Sequence, residues 1–234
     1  MMINITDKIA KFFVVLLMMI SPLAYSKGVG LDATRIIYPE GEKSVGIVVR
    51  NQEPNTNYLV QAFITSNEYP ITFEVTPPIF RLNSASRHEI KIYAKSNALA
   101  KDRESVFYFH AKMIPGQQEG KTDNLGMSVG FDNVIKLFYR PNNLPMTSDE
   151  AQAKLSFNVE GKQLKVTNNS PYYINFAGFS VNNIKLDVSL ANNNAMIAPY
   201  SSIKYLLPAG VTKGNIHWRT IDDLGGYNEF AAKF

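Results

Sequence analysis

The segment at residues 125–141, LGMSVGFDNVIKLFYRP, carries the strongest structural signal in the sequence. Large apolar side chains recur there at every second position, with one break at Asn133. This period of two is typical of a β-strand and not of a helix. In the first half, Gly126, Ser128 and Gly130 take the alternate positions, so one face is bulky and the other nearly bare. We therefore predict a long strand whose bulky face is either buried in its own core or offered to a partner.

The composition is that of a folded protein. The chain has 234 residues, of which 45% are hydrophobic and 19% are charged, which fits one large or two ordinary domains. The net charge of +4 comes from 24 basic and 20 acidic residues without long runs, which argues against a nucleic-acid partner. Because the chain has no cysteine, disulfides and thiolate metal sites are excluded.

The N-terminus has the pattern of a secretory signal peptide. Two lysines precede an apolar run at residues 12–20, and the small-residue site Ala24-Tyr25-Ser26 follows it. The run has about nine residues, whereas a bilayer span needs roughly 20. We therefore expect export and cleavage after about Ser26, with no stable membrane insertion. The alternative is a retained membrane anchor.

Beyond residue 26, strand-like segments follow one another at spacings of about 8 to 12 residues, without a helical period of useful length. This spacing is typical of antiparallel β-sandwiches. Pro141 and Pro145 interrupt the pattern, and a second set of strand signals follows them, including predicted strands at residues 172–181 and 185–190. We therefore predict an all-β chain with a signal peptide at residues 1–26, an N-terminal domain at 27–143 and a C-terminal domain at 144–234.

Residues 126–130 match the G-x-S-x-G motif, which in hydrolases places a nucleophilic serine on a strand-to-helix turn. Here the strand pattern continues through Ser128 and no helix signal follows it, so an exported esterase is the weaker alternative. His88, His110 and His217 lie far apart in the sequence and have no metal-ligand spacing, which favours surface or edge histidines. We expect no enzymatic activity, no metal and no cofactor.

Two basic residues lie within apolar segments. Arg35 precedes Ile36 and Ile37, and Lys136 lies between Ile135 and Leu137. Charges of this kind often protect strand edges from unwanted pairing. Alternatively, the two cations converge and hold an anion such as a carboxylate through charge-assisted hydrogen bonds. The sequence leaves both interpretations open.

Several blocks resemble the periplasmic pilus chaperones of the chaperone–usher pathway. They are TRIIY (34–38), TPPIFRL (76–82), DRESVFYF (102–109), IKLFYRP (135–141), NSPYY (169–173) and IDDLGG (221–226). The resemblance implies two immunoglobulin-like β-sandwich domains set at an angle, with a cleft between them. It also implies a non-enzymatic chaperone that binds, folds and caps pilus subunits by donor-strand complementation and delivers them to an outer-membrane usher.

The resemblance further implies roles for individual residues. Arg35 and Lys136 match the cleft pair that anchors the C-terminal carboxylate of a pilin. The strand lent to the subunit groove is matched by Leu125, Met127, Val129 and Phe131. A charge network between the domains is matched by Glu104, Arg140 and Asp223. The alternative of a pilus subunit or adhesin fits less well, because such proteins resemble one incomplete domain with a cysteine pair.

The proposed donor and anchor residues raise a geometric question. Lys136 follows Phe131 by five residues, so a regular strand would place them on opposite faces. Either residues 132–134 contain a bulge or strong twist, or the cleft is reached from the other face. We expect lending to stop at the break at Asn133. We also expect the protein to be located in the periplasm. When it is free of a subunit, we expect it to self-associate through the exposed donor strand.

Overall fold

The computed structural model describes residues 28–95, 99–116 and 129–234. Within these ranges the chain forms seventeen β-strands and one short helix, arranged as two immunoglobulin-like β-sandwich domains. The predicted all-β, two-domain fold class is therefore confirmed. The same ranges contain no helix that is long and apolar enough to cross a membrane.

The N-terminal domain is a sandwich of two sheets. Its strands are β1 (Val29–Leu31), β2 (Arg35–Pro39), β3 (Val45–Asn51), β4 (Tyr58–Thr65), β5 (Phe73–Thr76), β6 (Ile79–Leu82), β7 (Arg87–Ala94), β8 (Ser105–Pro115) and β9 (Phe131–Arg140). The first sheet has the order β1-β3-β7-β5 and the second has the order β2-β9-β8-β4-β6. Alternate apolar residues of both sheets, such as Ile90, Phe107 and Leu137, meet in one buried core.

The C-terminal domain repeats this plan with shorter strands. They are β10 (Leu155–Glu160), β11 (Gln163–Asn168), β12 (Ile174–Val181), β13 (Ile184–Lys185), β14 (Met196–Ile197), β15 (Ser202–Leu206), β16 (Asn215–Ile221) and β17 (Tyr227–Lys233). One sheet has the order β10-β11-β15; the other has the order β13-β12-β16-β17, and β14 also pairs with β12. Trp218, Phe179 and Tyr205 lie in the core between the sheets.

Two strand predictions were too long, and asparagine side chains explain the difference. The segment predicted at 172–181 begins only at Ile174, because Asn168 Nδ2 donates to the carbonyl oxygen of Tyr172 at 2.7 Å. The segment predicted at 185–190 ends at Lys185, because Asn194 bonds the backbone of Asp187 and Ser189. In both places the side chain takes a backbone group away from the sheet ladder.

The helix α1 (Ser148–Ala153) was not predicted. Its start is marked by a capping box, in which the Thr147 hydroxyl accepts from the backbone N–H of Glu150 and the Glu150 carboxylate accepts from the backbone N–H of Thr147. The helix has six residues, too few to produce a recognisable helical period. The capping pair alone was the available signal.

The ladder between β8 and β9 answers the geometric question about Phe131 and Lys136. It runs without a register shift from Ser105 opposite Tyr139 to Met113 opposite Phe131. Residues 132–134 therefore contain no bulge, and the two side chains lie on opposite faces of a regular strand. Leu137 packs into the domain core, whereas the neighbouring Phe138 packs against the second domain. The cleft is thus reached from the face opposite to Phe131.

Candidate functional site

Arg35 and Lys136 are brought side by side by parallel pairing. They are direct partners in the ladder between β2 and β9, so both side chains point to the same face of the sheet. Arg35 Nη1 donates to the carbonyl oxygen of Ile221 at 3.0 Å, and Lys136 Nζ donates to Asn175 Oδ1 at 2.6 Å. Both acceptors belong to the C-terminal domain. The two cations therefore lie at the junction of the domains.

These two cations are partly buried, and among the described residues neither of them pairs directly with a carboxylate. Burial lowers the pKa of Arg35, although Asp223, Asp222 and Glu104 oppose this shift. Burial, together with the charge of Arg35, lowers the pKa of Lys136 to about 8. In the described part of the chain neither cation forms a salt bridge, and the buried Arg35 Nε has no hydrogen-bond partner. Two desolvated cations with spare donors favour the binding of an anion.

Arg140, at the end of β9, is paired with two carboxylates. Its Nε donates to Glu104 Oε1 at 2.8 Å, and its Nη1 and Nη2 donate to the two carboxylate oxygens of Asp223 at 2.7 and 2.8 Å. Ser148 Oγ donates to Asp223 Oδ2 at 3.0 Å, and the guanidinium lies 5.1 Å from the ring centroid of Tyr172. The structure thus brings together Glu104 and Arg140 of the first domain with Asp223 of the second.

The buried end of this network is Glu104, whose side chain is 2% exposed. Its Oε2 accepts from the backbone N–H of Tyr173 at 2.8 Å, and its own N–H donates to the carbonyl of Pro171. Burial raises the pKa of Glu104 against the opposing effect of Arg140. For Arg140 the balance is reversed, because hydrogen bonds to Asp223 and Glu104 outweigh burial and raise its pKa. Arg140 therefore stays charged and bridges the two domains.

An apolar contact completes the junction. Val106 and Phe138 of the first domain pack against Tyr173 of the second, with their rings or methyl groups almost fully buried. The rings of Phe138 and Tyr173 are 5.6 Å apart between centroids. Because this contact lies beside the paired Arg140, the domains are joined by apolar packing and by charge together.

Only part of the expected donor segment can be described. Leu125, Met127 and Ser128 lie outside the described residues. Val129 is 70% exposed and Phe131 is 43% exposed, the latter packing edge-on against Tyr58 at 6.4 Å between ring centroids. A Cβ atom on Gly130 would lie 3.3 Å from the carbonyl oxygen of Met113. The missing side chain at Gly130 therefore allows a close approach of the backbone to β8.

The pairing of β9 with neighbouring strands differs between its two halves. The parallel partner β2 covers β9 only from Lys136 to Arg140. From Phe131 to Ile135, β9 is paired with β8 on one side, and within the described ranges no strand pairs with its other edge. This half of β9 therefore presents backbone N–H and C=O groups to an incoming strand.

Asn175 is a site residue that the sequence analysis missed. It is 3% exposed and lies between Ile174 and Phe176 on β12, where it accepts a hydrogen bond from Lys136. A polar residue inside an apolar strand is a recognisable signal, because buried amides need partners. Its partner could not have been found from the sequence, since Lys136 belongs to the other domain.

The fold and this junction define a protein of two immunoglobulin-like β-sandwich domains joined by apolar packing and ion pairs. Two family models match the chain: "Pili and flagellar-assembly chaperone, PapD N-terminal domain" over residues 28–145, and "Pili assembly chaperone PapD, C-terminal domain" over residues 150–232. The chain therefore belongs to the PapD family of pilus chaperones of the chaperone–usher pathway. This family is not enzymatic, which confirms the prediction that the protein is not an enzyme.

Individual relatives agree with this assignment. The chaperone protein FocC of Escherichia coli is 34% identical over 211 residues, which are 89% of this chain and 90% of FocC. The crystal structure of the E. coli chaperone DraB has a TM-score of 0.76 and 30% identity, covering 89% of this chain and 99% of DraB. The SafB chaperone of Salmonella enterica, determined in complex with the SafA pilin, has a TM-score of 0.77 and 27% identity, covering 89% and 97%.

Proposed function

We propose that this protein is a periplasmic chaperone that binds a pilus subunit, completes its fold with a lent strand, and delivers the capped subunit to an outer-membrane usher. The observation that carries the proposal is the pair of cations at the domain junction. Arg35 and Lys136 lie side by side without a directly paired carboxylate, next to the half of β9 whose second edge has no strand partner within the described ranges.

The cation pair suits a terminal carboxylate. A carboxylate can accept from a guanidinium and an ammonium at once, and such bonds are strongest where water is excluded. Burial of Arg35 and Lys136 without a directly paired carboxylate costs stability, and a bound anion would offset that cost. The carboxyl terminus of a pilin supplies such an anion at a fixed position in its chain.

The uncovered edge of β9 suits an added strand. Backbone groups from Phe131 to Asn133, where we expect the lent segment to end, would pair with a strand of the subunit, while alternate apolar side chains fill the groove of the subunit. The donors that we propose are Leu125, Met127, Val129 and Phe131. Burying each such side chain contributes roughly 1.5 to 3 kcal/mol, before the costs of association.

The anchor and the lent strand act together. A slip of one residue would turn every donor side chain to the wrong face of the strand. A carboxylate held by Arg35 and Lys136 fixes the distance along β9 between the anchor and the donor residues. The complex of the SafB chaperone with the SafA pilin is the precedent for a subunit partner.

Several further expectations belong to the proposal. We propose export through a signal peptide at residues 1–26, with the domains divided near residue 143. Periplasmic location is supported by relatives such as the periplasmic chaperone SfaE, which is 30% identical. Self-association of the free protein through the donor strand is a further part of the proposal.

The test is co-expression with a pilin encoded beside the chaperone gene. We expect Arg35→Ala with Lys136→Ala to abolish recovery of the chaperone–pilin complex and to leave the pilin degraded. The matched control is Lys165→Ala with Arg219→Ala, which removes two cations from exposed ion pairs of the C-terminal domain. That control should capture the pilin normally.

A peptide assay isolates the anchor. A synthetic peptide with the sequence of the pilin's last strand should bind the wild-type protein tightly as the free acid. The same peptide should bind at least tenfold more weakly as the terminal amide, because each tenfold step in affinity is worth about 1.4 kcal/mol. Equal binding of both peptides, or normal pilin capture by the double variant, would refute the anchor.

A further inference from the structure

Three polar side chains form a continuous chain across the outer face of the five-stranded sheet. Thr65 on β4, His110 on β8 and Asp132 on β9 are linked in that order. His110 Nε2 lies 2.8 Å from Thr65 Oγ1, and His110 Nδ1 lies 2.9 Å from Asp132 Oδ2. None of the three belongs to the cation pair or to the charge network around Arg140.

A neutral imidazole satisfies both neighbours. The arrangement is fulfilled when the Thr65 hydroxyl donates to Nε2 and the Nδ1–H group donates to the Asp132 carboxylate. The ring also stacks on Phe63, with a centroid distance of 4.5 Å and an angle of 7° between the planes. The side chain of His110 is 17% exposed, so these bonds are partly shielded from water. The chain of bonds therefore ties three strands together.

The position of Asp132 connects this series of hydrogen bonds to the proposed donor strand. Asp132 lies on the half of β9 that, within the described ranges, has a strand partner on one side only, directly after the proposed donor residue Phe131. It is bonded through His110 to β8, and through Thr65 to β4, which lies on the far side of β8. If β9 moved by one residue, Asp132 would turn to the opposite face and lose His110. A strand that receives a partner on one edge is thus fixed in register from the other edge.

We propose that Thr65, His110 and Asp132 form a register clamp, three positioning residues that hold β9 in place while its other edge is offered to the subunit. The proposal rests on the proposed function, because it assigns the clamp to strand lending. It adds a second fixed point to β9. Lys136 sets the register of the bound carboxylate, and Asp132 sets the register of the strand itself.

The first test uses the free protein and does not depend on any partner. Amide hydrogen exchange should be faster at residues 131–135 in His110→Phe, which keeps the aromatic ring but loses both hydrogen bonds. We expect an increase of about tenfold or more, and a tenfold change corresponds to about 1.4 kcal/mol. His110→Gln has a side-chain amide that can donate to Asp132 and accept from Thr65, and it should restore most of the protection.

The matched control is His88→Phe. His88 is also stacked on a phenylalanine, Phe80, at 4.2 Å between centroids, but it lies on β7 in the other sheet. This variant should leave exchange at residues 131–135 unchanged. Thr65→Val, which replaces the hydroxyl by a methyl group of the same size, should give an effect between the control and His110→Phe.

The second test measures register in the chaperone–pilin complex. Because the chain has no cysteine, Val129→Cys provides a single thiol for disulfide trapping with a cysteine placed in the groove of the pilin. In the His110→Phe background we expect trapping at neighbouring groove positions and several-fold faster release of the pilin. His110→Gln should again resemble the wild-type protein.

Each result decides the proposal. Exchange at residues 131–135 that matches the His88→Phe control would refute the clamp itself. Faster exchange together with a single trapping position and unchanged release would show a purely structural role, and would refute positioning. Failure of the proposed function is seen separately, as pilin capture that survives Arg35→Ala with Lys136→Ala.

Discussion

Three cations on strands β2 and β9 lie at the domain junction, and their hydrogen-bond partners are of two opposite kinds. Arg140 is bonded to two carboxylates, which raise its pKa. Arg35 and Lys136 have polar neutral partners, and burial lowers the pKa of each. Arg140 thus has carboxylate partners within the protein, whereas Arg35 and Lys136 keep their charge and further N–H donors for a bound ligand.

The difference distinguishes a residue that holds the two domains together from residues that can bind a ligand. A buried cation with matched carboxylates is costly to disturb, because removing it leaves buried charges unpaired. A buried cation without a counter-charge is costly to keep, and perturbed groups of this kind cluster at functional sites. We therefore propose that Arg140 fixes the two domains relative to each other, and that Arg35 and Lys136 bind an anion at the junction held in this way.

The largest effect should come from Arg140→Ala. This change leaves the carboxylate of Glu104, which is 2% exposed, without its cation. We expect the free energy of unfolding to fall by about 3 kcal/mol or more, the usual result of breaking a buried pair. The measurement is urea unfolding followed by intrinsic fluorescence.

The control for this variant is Arg219→Ala. Arg219 pairs with Glu229 at 3.1 Å, but both side chains are largely exposed, so the loss should stay below about 1 kcal/mol. An equal, small loss in both variants would show that the Arg140 network does not hold the domains, and the contrast between the two cation sets would disappear.

The second effect concerns Lys136→Gln. Glutamine removes the charge but keeps an N–H group for Asn175. Because an uncompensated buried cation is lost, we expect the free energy of unfolding to be unchanged or higher by about 1 kcal/mol. Affinity for the free-acid peptide should nevertheless fall about tenfold or more. A variant that loses stability and keeps its affinity for the peptide would show that Lys136 holds the domains together and does not bind the carboxylate.

The third effect is a pH dependence of peptide binding. The pKa of Lys136 is lowered to about 8, so its charge is lost as the pH rises from 7 to 9, while the peptide carboxylate stays ionised. Affinity measured by calorimetry should fall about tenfold over this range, following the protonated fraction of Lys136. In Lys136→Gln the slope should vanish. A slope that persists in this variant would place the titrating group elsewhere.

The same lowered pKa has the opposite consequence for stability. Between pH 8 and the ordinary lysine value of 10.5, the unfolded chain binds more protons at Lys136 than the folded protein does. Its contribution to the free energy of unfolding therefore rises with pH across this window. Binding and stability should thus move in opposite directions as the pH is raised.

The strand pattern at residues 125–141 was enough to predict β9, although the strand begins only at Phe131, and the described residues Val129 and Gly130 lie before it. The fold class followed from strand spacing, and the residues of the junction followed from resemblance. What the sequence could not provide were contacts between domains. Asn175 and the carbonyl of Ile221 reach the cations only because β12 and β16 are brought against β2 and β9.

His110 shows the same limit within one domain. From the sequence it was interpreted as a surface or edge histidine, because no ligand pattern surrounds it. In the structure it lies on the central strand β8, bonded to residues of both neighbouring strands. Strand alternation predicts the face on which a residue lies, but which residues become diagonal neighbours depends on the register of each pair of strands.

The smallest effect should come from Asn175→Ala. This change removes the acceptor that lies 2.6 Å from Lys136 Nζ, and a hydrogen bond to the charged form of a group favours that form. The pKa of Lys136 should therefore fall slightly further, and the midpoint of the pH dependence of peptide binding should move to lower pH. The free energy of unfolding should fall by about 1 kcal/mol, the usual cost of one such bond. A midpoint that did not move would mean that Asn175 only holds the domains together, as Arg140 does, and has no part in the anion site.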